Sequence, residues 1–156
     1  ADGRTALHWA TLRGHAAIAA YLLRQPGSVN SKDRWGRGLA HHAAANGHKP
    51  MLKLLLKQRM LSDEKDLAGQ TPMHLAAAAG HSKILKGLQG AGISVSTSDE
   101  IGRVPLHYAT INGHSQTVSA LLALGASVAA ADQDGETAFS LAQAGMGVQP
   151  PHASRA

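Results

Sequence analysis

The chain has 156 residues, 44% of them hydrophobic and 16% charged, which excludes a disordered polymer and fits one domain or one short repeat array. It contains no cysteine, so disulfides, thiolate catalysis and cysteine-based zinc sites are excluded. The net charge of +5 is polarised: residues 1–60 carry ten basic and two acidic groups, residues 61–156 five basic and eight acidic, so the first part can steer an acidic partner.

The chain repeats itself from its first residues. Gly3, Gly36, Gly69, Gly102 and Gly135 are spaced 33 apart, as are Gly14, Gly47, Gly80 and Gly113, each followed by a histidine. His8, His41, His74 and His107 share the period, and so do Asp33, Asp66, Asp99 and Asp132.

The first unit, about 1–32, starts a helix at Thr5-Ala6-Leu7-His8. It begins partway through a turn, which implies excision from a longer protein. The N-terminus lacks the apolar core of a signal peptide. In the second unit, 33–65, Gly38 stands at the helix start without a capping hydroxyl, a loss that typically costs about 1 kcal/mol. His42 takes the place of Trp9, Leu75, Tyr108 and Leu141, and Lys49, Lys53 and Lys57 form a stripe at four-residue spacing. Gln58 to Lys65 lacks the glycine expected before the next turn, so this connection should be irregular.

In the third unit, 66–98, Thr71 can cap the helix, Pro72 fits its first position, the alanines continue it and Gly80 ends it. Gly87, Gly90 and Gly92 should make this unit the softest, since an interior helical glycine costs roughly 1 kcal/mol. The fourth unit, 99–131, opens at Val104-Pro105-Leu106-His107 and sets Val118, Leu121 and Leu122 on one face of its second helix. A half unit follows at 132–146, because two glycines and two prolines after Ala144 cannot continue a helix. Residues 147–156 are expected to be a flexible tail.

Thr5-Ala6-Leu7-His8, Thr71-Pro72-Met73-His74 and Val104-Pro105-Leu106-His107, at a period of 33, resemble the ankyrin repeat over about residues 1–146. The resemblance implies a mainly α fold: a solenoid of antiparallel helix pairs with β-hairpin loops projecting to one side. It implies a protein-interaction module without a cofactor and without catalysis in this segment, such as the targeting part of a larger protein. It places the chain in a cytoplasm, including that of a host cell for an effector. It also implies that the periodic histidines hold turns and neighbouring repeats together.

The residues themselves offer little to catalysis. Successive histidines of one series lie a repeat apart, roughly 8–10 Å by helix packing, too far to share a zinc held at about 2 Å. The periodic aspartates sit where aspartate fixes a turn through its own backbone. No glycine spacing matches a phosphate loop.

Partner-binding candidates are the positions left once the scaffold is subtracted. Arg34 and Trp35, Leu67, and Ile101 stand on successive loop tips, and Arg37 and Arg103 follow the periodic glycine. Leu12, Ile111 and Asn112 occupy exposed inner-helix positions, and His42 is a further candidate. An apolar row on normally polar tips marks an interface. The partner is expected to be a protein, with an acidic surface suited to the basic half. The alternative is that the basic half binds nucleic acid or an anionic membrane, although no aromatic interleaving supports base stacking. The lysine stripe reads either as a solvated helix face or as a docking site for an acidic protein, membrane or nucleic acid.

Overall fold

A computed structural model describes residues 2–27 and 30–145. The tail expected at 147–156 lies outside them. Helices alternate short and slightly longer: α1 (Ala6–Leu12), α2 (Ala16–Leu23), α3 (Leu39–Ala45), α4 (Lys49–Lys57), α5 (Pro72–Ala79), α6 (Ser82–Gly90), α7 (Pro105–Ile111), α8 (Ser115–Ala123) and α9 (Ala138–Gly145). Such short helices are unstable alone and depend on packing. Each odd-numbered helix packs on the next, giving an inner layer α1–α3–α5–α7–α9, and each of the first four also packs on its own even-numbered partner. In the outer layer α2 packs on α4 and α6 on α8, but α4 and α6 scarcely touch. The core runs along the solenoid between the layers through Leu39, Met51, Leu55, Met73, Leu85, Leu88, Leu106 and Leu121, all buried.

The first histidine series caps the inner helices. The backbone N–H of Thr5, Thr71 and Val104 donates to Nδ1 of His8, His74 and His107, each at 3.1 Å. With Nδ1 accepting, Nε2 carries the hydrogen and donates to a carbonyl of the next repeat: His41 to Gln70, His74 to Arg103 and His107 to Glu136, at 2.9–3.0 Å. Gly38 keeps half of this device. It has no hydroxyl, but its N–H still donates to His41 Nδ1 at 3.3 Å.

The second series staples the ends of the inner helices. Nε2 of His48, His81 and His114 donates to the carbonyls of Leu12, Ala45 and Ala78 at 2.8–3.0 Å. Each ring sits directly against the preceding periodic glycine. A Cβ on Gly14, Gly47 or Gly80 would stand 2.8, 2.6 or 2.7 Å from the ring's Nδ1. Glycine is therefore required for both its left-handed backbone and its bareness.

Each loop turns back on itself through one backbone bond, from the aspartate N–H to the carbonyl four residues on at 2.9–3.0 Å, and among the described residues the last loop adds a β-bridge between Ala131 and Thr137. One sequence expectation needs correction: the connection after α4 is not irregular. Arg59 adopts φ +56°, the conformation that Gly92 and Gly125 adopt one and two repeats later. The turn bonds match too: Met60 N–H to Leu55 C=O, Ile93 to Leu88 and Ala126 to Leu121, at 2.8–3.1 Å. A non-glycine residue bears the strain of a turn that the surrounding repeat dictates. No helix of the described residues is long and apolar enough to cross a membrane.

Candidate interaction surface

The loop tips owe their shape to the periodic aspartates. Asp33 Oδ1 accepts from the N–H groups of Trp35 and Arg37, both at 3.0 Å, and the pattern recurs at Asp66, Asp99 and Asp132. Neighbouring tips are tied by single backbone bonds: Leu67 N–H to Trp35 C=O at 2.9 Å, Glu100 to Ala68 at 3.1 Å and Gln133 to Ile101 at 3.0 Å. The tips thus form one continuous edge, and whatever their side chains present is held in register.

The second carboxylate oxygen of each aspartate is also occupied, by histidine, arginine or tyrosine. His42 Nε2 donates to Asp33 Oδ2 at 2.9 Å, and Arg4 lies 3.8 Å from the same oxygen. Arg37 Nε meets Asp66 Oδ2 and Arg103 Nε meets Asp132 Oδ2, both at 3.0 Å. Tyr108 Oη donates to Asp99 Oδ2 at 2.5 Å. Burial raises Asp33, but the amides of Arg37 and Trp35 together with His42 outweigh it and hold the carboxyl below its usual range. Burial is also the dominant influence on His42. It outweighs the attraction of Asp33 and lowers the ring to about 4, so His42 is neutral near pH 7.

The predicted positions divide into three groups. Arg34, Trp35, Leu67 and Ile101 are exposed along the tip edge, Leu67 most of all at 75%. Leu12 is half-buried and Ile111 exposed, each the last residue of its inner helix, and Asn112 caps α7. They lie at the far end of the inner helices from the tips, across a helix of seven residues that is about 10 Å long. The Asn112 amide donates to Ala78 C=O at 2.7 Å and is committed to the neighbouring repeat. Arg37 and Arg103 are half-buried in their aspartate pairs, and His42, at 4% exposure, does not reach the surface. These three act on the scaffold: Arg37 and Arg103 neutralise turn-forming aspartates, and the uncharged His42 ring donates a hydrogen bond to a third.

Sequence reading missed Arg4 and Trp9. Arg4 stands one repeat before Arg37, and Trp9 one repeat before His42, so the period itself could have found them. The Arg4 guanidinium lies 5.3 Å from the Trp9 ring centroid and 5.1 Å from that of Trp35, and Arg34 lies 4.7 Å from Trp35. Two exposed indoles and two arginines therefore form one cluster at the start of the edge, with ring faces engaged by cations. Among the described residues no three His, Asp or Glu side chains converge as metal ligands would.

Comparison with known families agrees with the period. A model described as ankyrin repeats (3 copies) matches residues 21–99, and one described as ankyrin repeat matches residues 2–34 and 101–133. No curated protein matches the chain. Ankyrin repeats are generally protein–protein interaction modules and a non-catalytic fold. With the matched segments spanning the four histidine-capped units described above, the chain belongs to the ankyrin repeat family.

Proposed function

We propose that the tip edge and the adjoining inner-helix face recognise a partner protein, as the targeting or substrate-recognition part of a larger cytoplasmic protein. The observation that carries this reading is that three successive bonded tips each expose a large apolar side chain: Trp35 and Ile101 in the same register two repeats apart, and Leu67 one position earlier on the tip between them. Exposed tips gain nothing from apolar residues unless something covers them. Trp35 is the natural anchor, because a large ring braced by two guanidiniums loses little freedom on binding. Arg34, which forms no ion pair among the described residues, adds positive charge beside it and favours an acidic segment of the partner, whereas Arg4 is shared with Asp2 and Asp33.

Replacing Trp35 and Ile101 together by alanine is expected to weaken binding of a selected peptide or partner by about 30-fold or more, the scale of two hot-spot residues. Far-ultraviolet circular dichroism should be unchanged, since both side chains lie outside the core. Titration calorimetry on parent and variant reads the result, and equal affinities would remove the tips from the binding surface.

A further inference from the structure

The outer layer has a gap where α4 and α6 scarcely touch, and a groove of about 410 Å³ opens there. Its floor is apolar: Leu52, Leu56 and Leu61 on one side, Ile84, Gly87 and Leu88 on the other. Gly87 stands one repeat after Leu54 and one before Ala120. A Cβ built on it would meet nothing within 4 Å. The missing side chain keeps the groove open: Leu56 is half exposed and Leu61 half-buried in it, above the buried Leu52, Ile84 and Leu88. The rim is cationic, with Lys49 and Lys53 on α4 facing Lys83 and Lys86 on α6. No acidic residue occurs between Gly38 and Ser62 or between Gln70 and Ser98, and among the described residues none of the four lysines forms an ion pair.

We propose that this groove docks an acidic amphipathic helix of a partner protein, on the outer helix layer. The two lysine rows flank a recessed apolar strip, and that order selects the complementary pattern: apolar side chains at i, i+4 and i+7 entering the groove, with carboxylates on both flanks. The nine residues of α4 span about 13 Å, which fits roughly two turns of a partner helix. A flat anionic bilayer meets the lysines but leaves the recessed leucines uncovered, so the concavity favours a helix over a membrane. The groove shares no residue with the tip edge, and the two proposals stand or fall separately.

The test uses the whole chain and a fluorescein-labelled helical peptide with leucine at i, i+4 and i+7 and glutamate at the flanks. Two control peptides carry lysine for glutamate or serine for leucine. Vesicles of 70% phosphatidylcholine and 30% phosphatidylserine form a separate arm. The glutamate–leucine peptide should bind at least tenfold more tightly than either control and more weakly as salt rises. Lys53→Glu with Lys86→Glu should weaken it at least tenfold, and Trp35→Ala should leave it unchanged. Gly87→Leu should also weaken it while raising the melting temperature, because it fills the groove and removes a helical glycine. That combination separates blockade from misfolding. Equal binding of the three peptides, indifference to both groove variants, or binding to vesicles alone would overturn the proposal.

Discussion

Gly47→Ala should destabilise the array by about 2–4 kcal/mol, whereas Gly113→Ala should cost only about 1–2 kcal/mol. Both glycines have positive φ, +66° and +72°, so both substitutions impose left-handed strain. They differ in what their missing side chains leave room for. At Gly47 a Cβ would stand 2.6 Å from His81 Nδ1, on a ring fixed by its bond to Ala45 C=O. The ring cannot retreat without breaking that bond, so overpacking adds to strain. At Gly113 nothing lies within 4 Å among the described residues. Urea unfolding of the two variants measures the difference directly. Equal losses would show that backbone conformation alone explains the periodic glycine and that the stacked ring does not.

The array should also lose stability steadily as the pH falls from about 6.5 towards 4. His42 is held at about 4 in the folded chain, first by burial, with the Arg4 and His8 charges adding to it and Asp33 opposing. His8, His41 and His74 are lowered as well, in each case chiefly by burial. A group whose folded pKa is depressed below the unfolded value near 6.5 binds its proton more readily when unfolded. Stability therefore rises with pH across that window and is fully present above it. Asp33, held low when folded, acts in the same sense but at lower pH. For His42 the loss at pH 5 is about 1–2 kcal/mol after allowing for solvent screening. With the other rings added, acid should consume a large share of a stability of ordinary size, about 5–15 kcal/mol.

His42→Tyr is the discriminating variant. Tyr108 already shows a tyrosine at this position of the repeat donating to the periodic aspartate. The variant should keep the Asp33 bond and flatten the profile between pH 4 and 6.5. Melting temperatures across that range read the outcome, and an unchanged slope would mean that His42 does not titrate on unfolding.

The fold was legible because its signals are local and recur. A hydroxyl or proline, a histidine three residues on, a left-handed glycine and a turn aspartate each have one mechanical use, repeated at a fixed interval. The capping and stapling roles of the two histidine series came from the resemblance, and the hydrogen bonds now give them atoms.

The interaction surface was harder to read because exposure depends on what the neighbouring repeat does with the same atoms. Arg37 and Arg103 look free in sequence, and His42 reads either as packed or as a contact, yet each is consumed by an aspartate: those of Arg37 and Arg103 lie 29 residues further on, that of His42 nine residues back. Arg4 and Trp9 were overlooked because a cation–π cluster joins two repeats and belongs to neither motif. Lys49 and Lys53 were visible as a stripe, but the groove beside them depends on α6 lacking a side chain at Gly87.

Which face of the solenoid meets other proteins can be read by site-specific photo-crosslinking. A benzophenone side chain would replace Leu67 on the tip edge in one sample and Gln116, exposed on outer helix α8, in another. With a bound partner, adducts should form from position 67, be suppressed by excess unmodified chain, and not be suppressed by excess Trp35→Ala/Ile101→Ala chain. Competable adducts from position 116 with none from position 67 would contradict recognition through the tips.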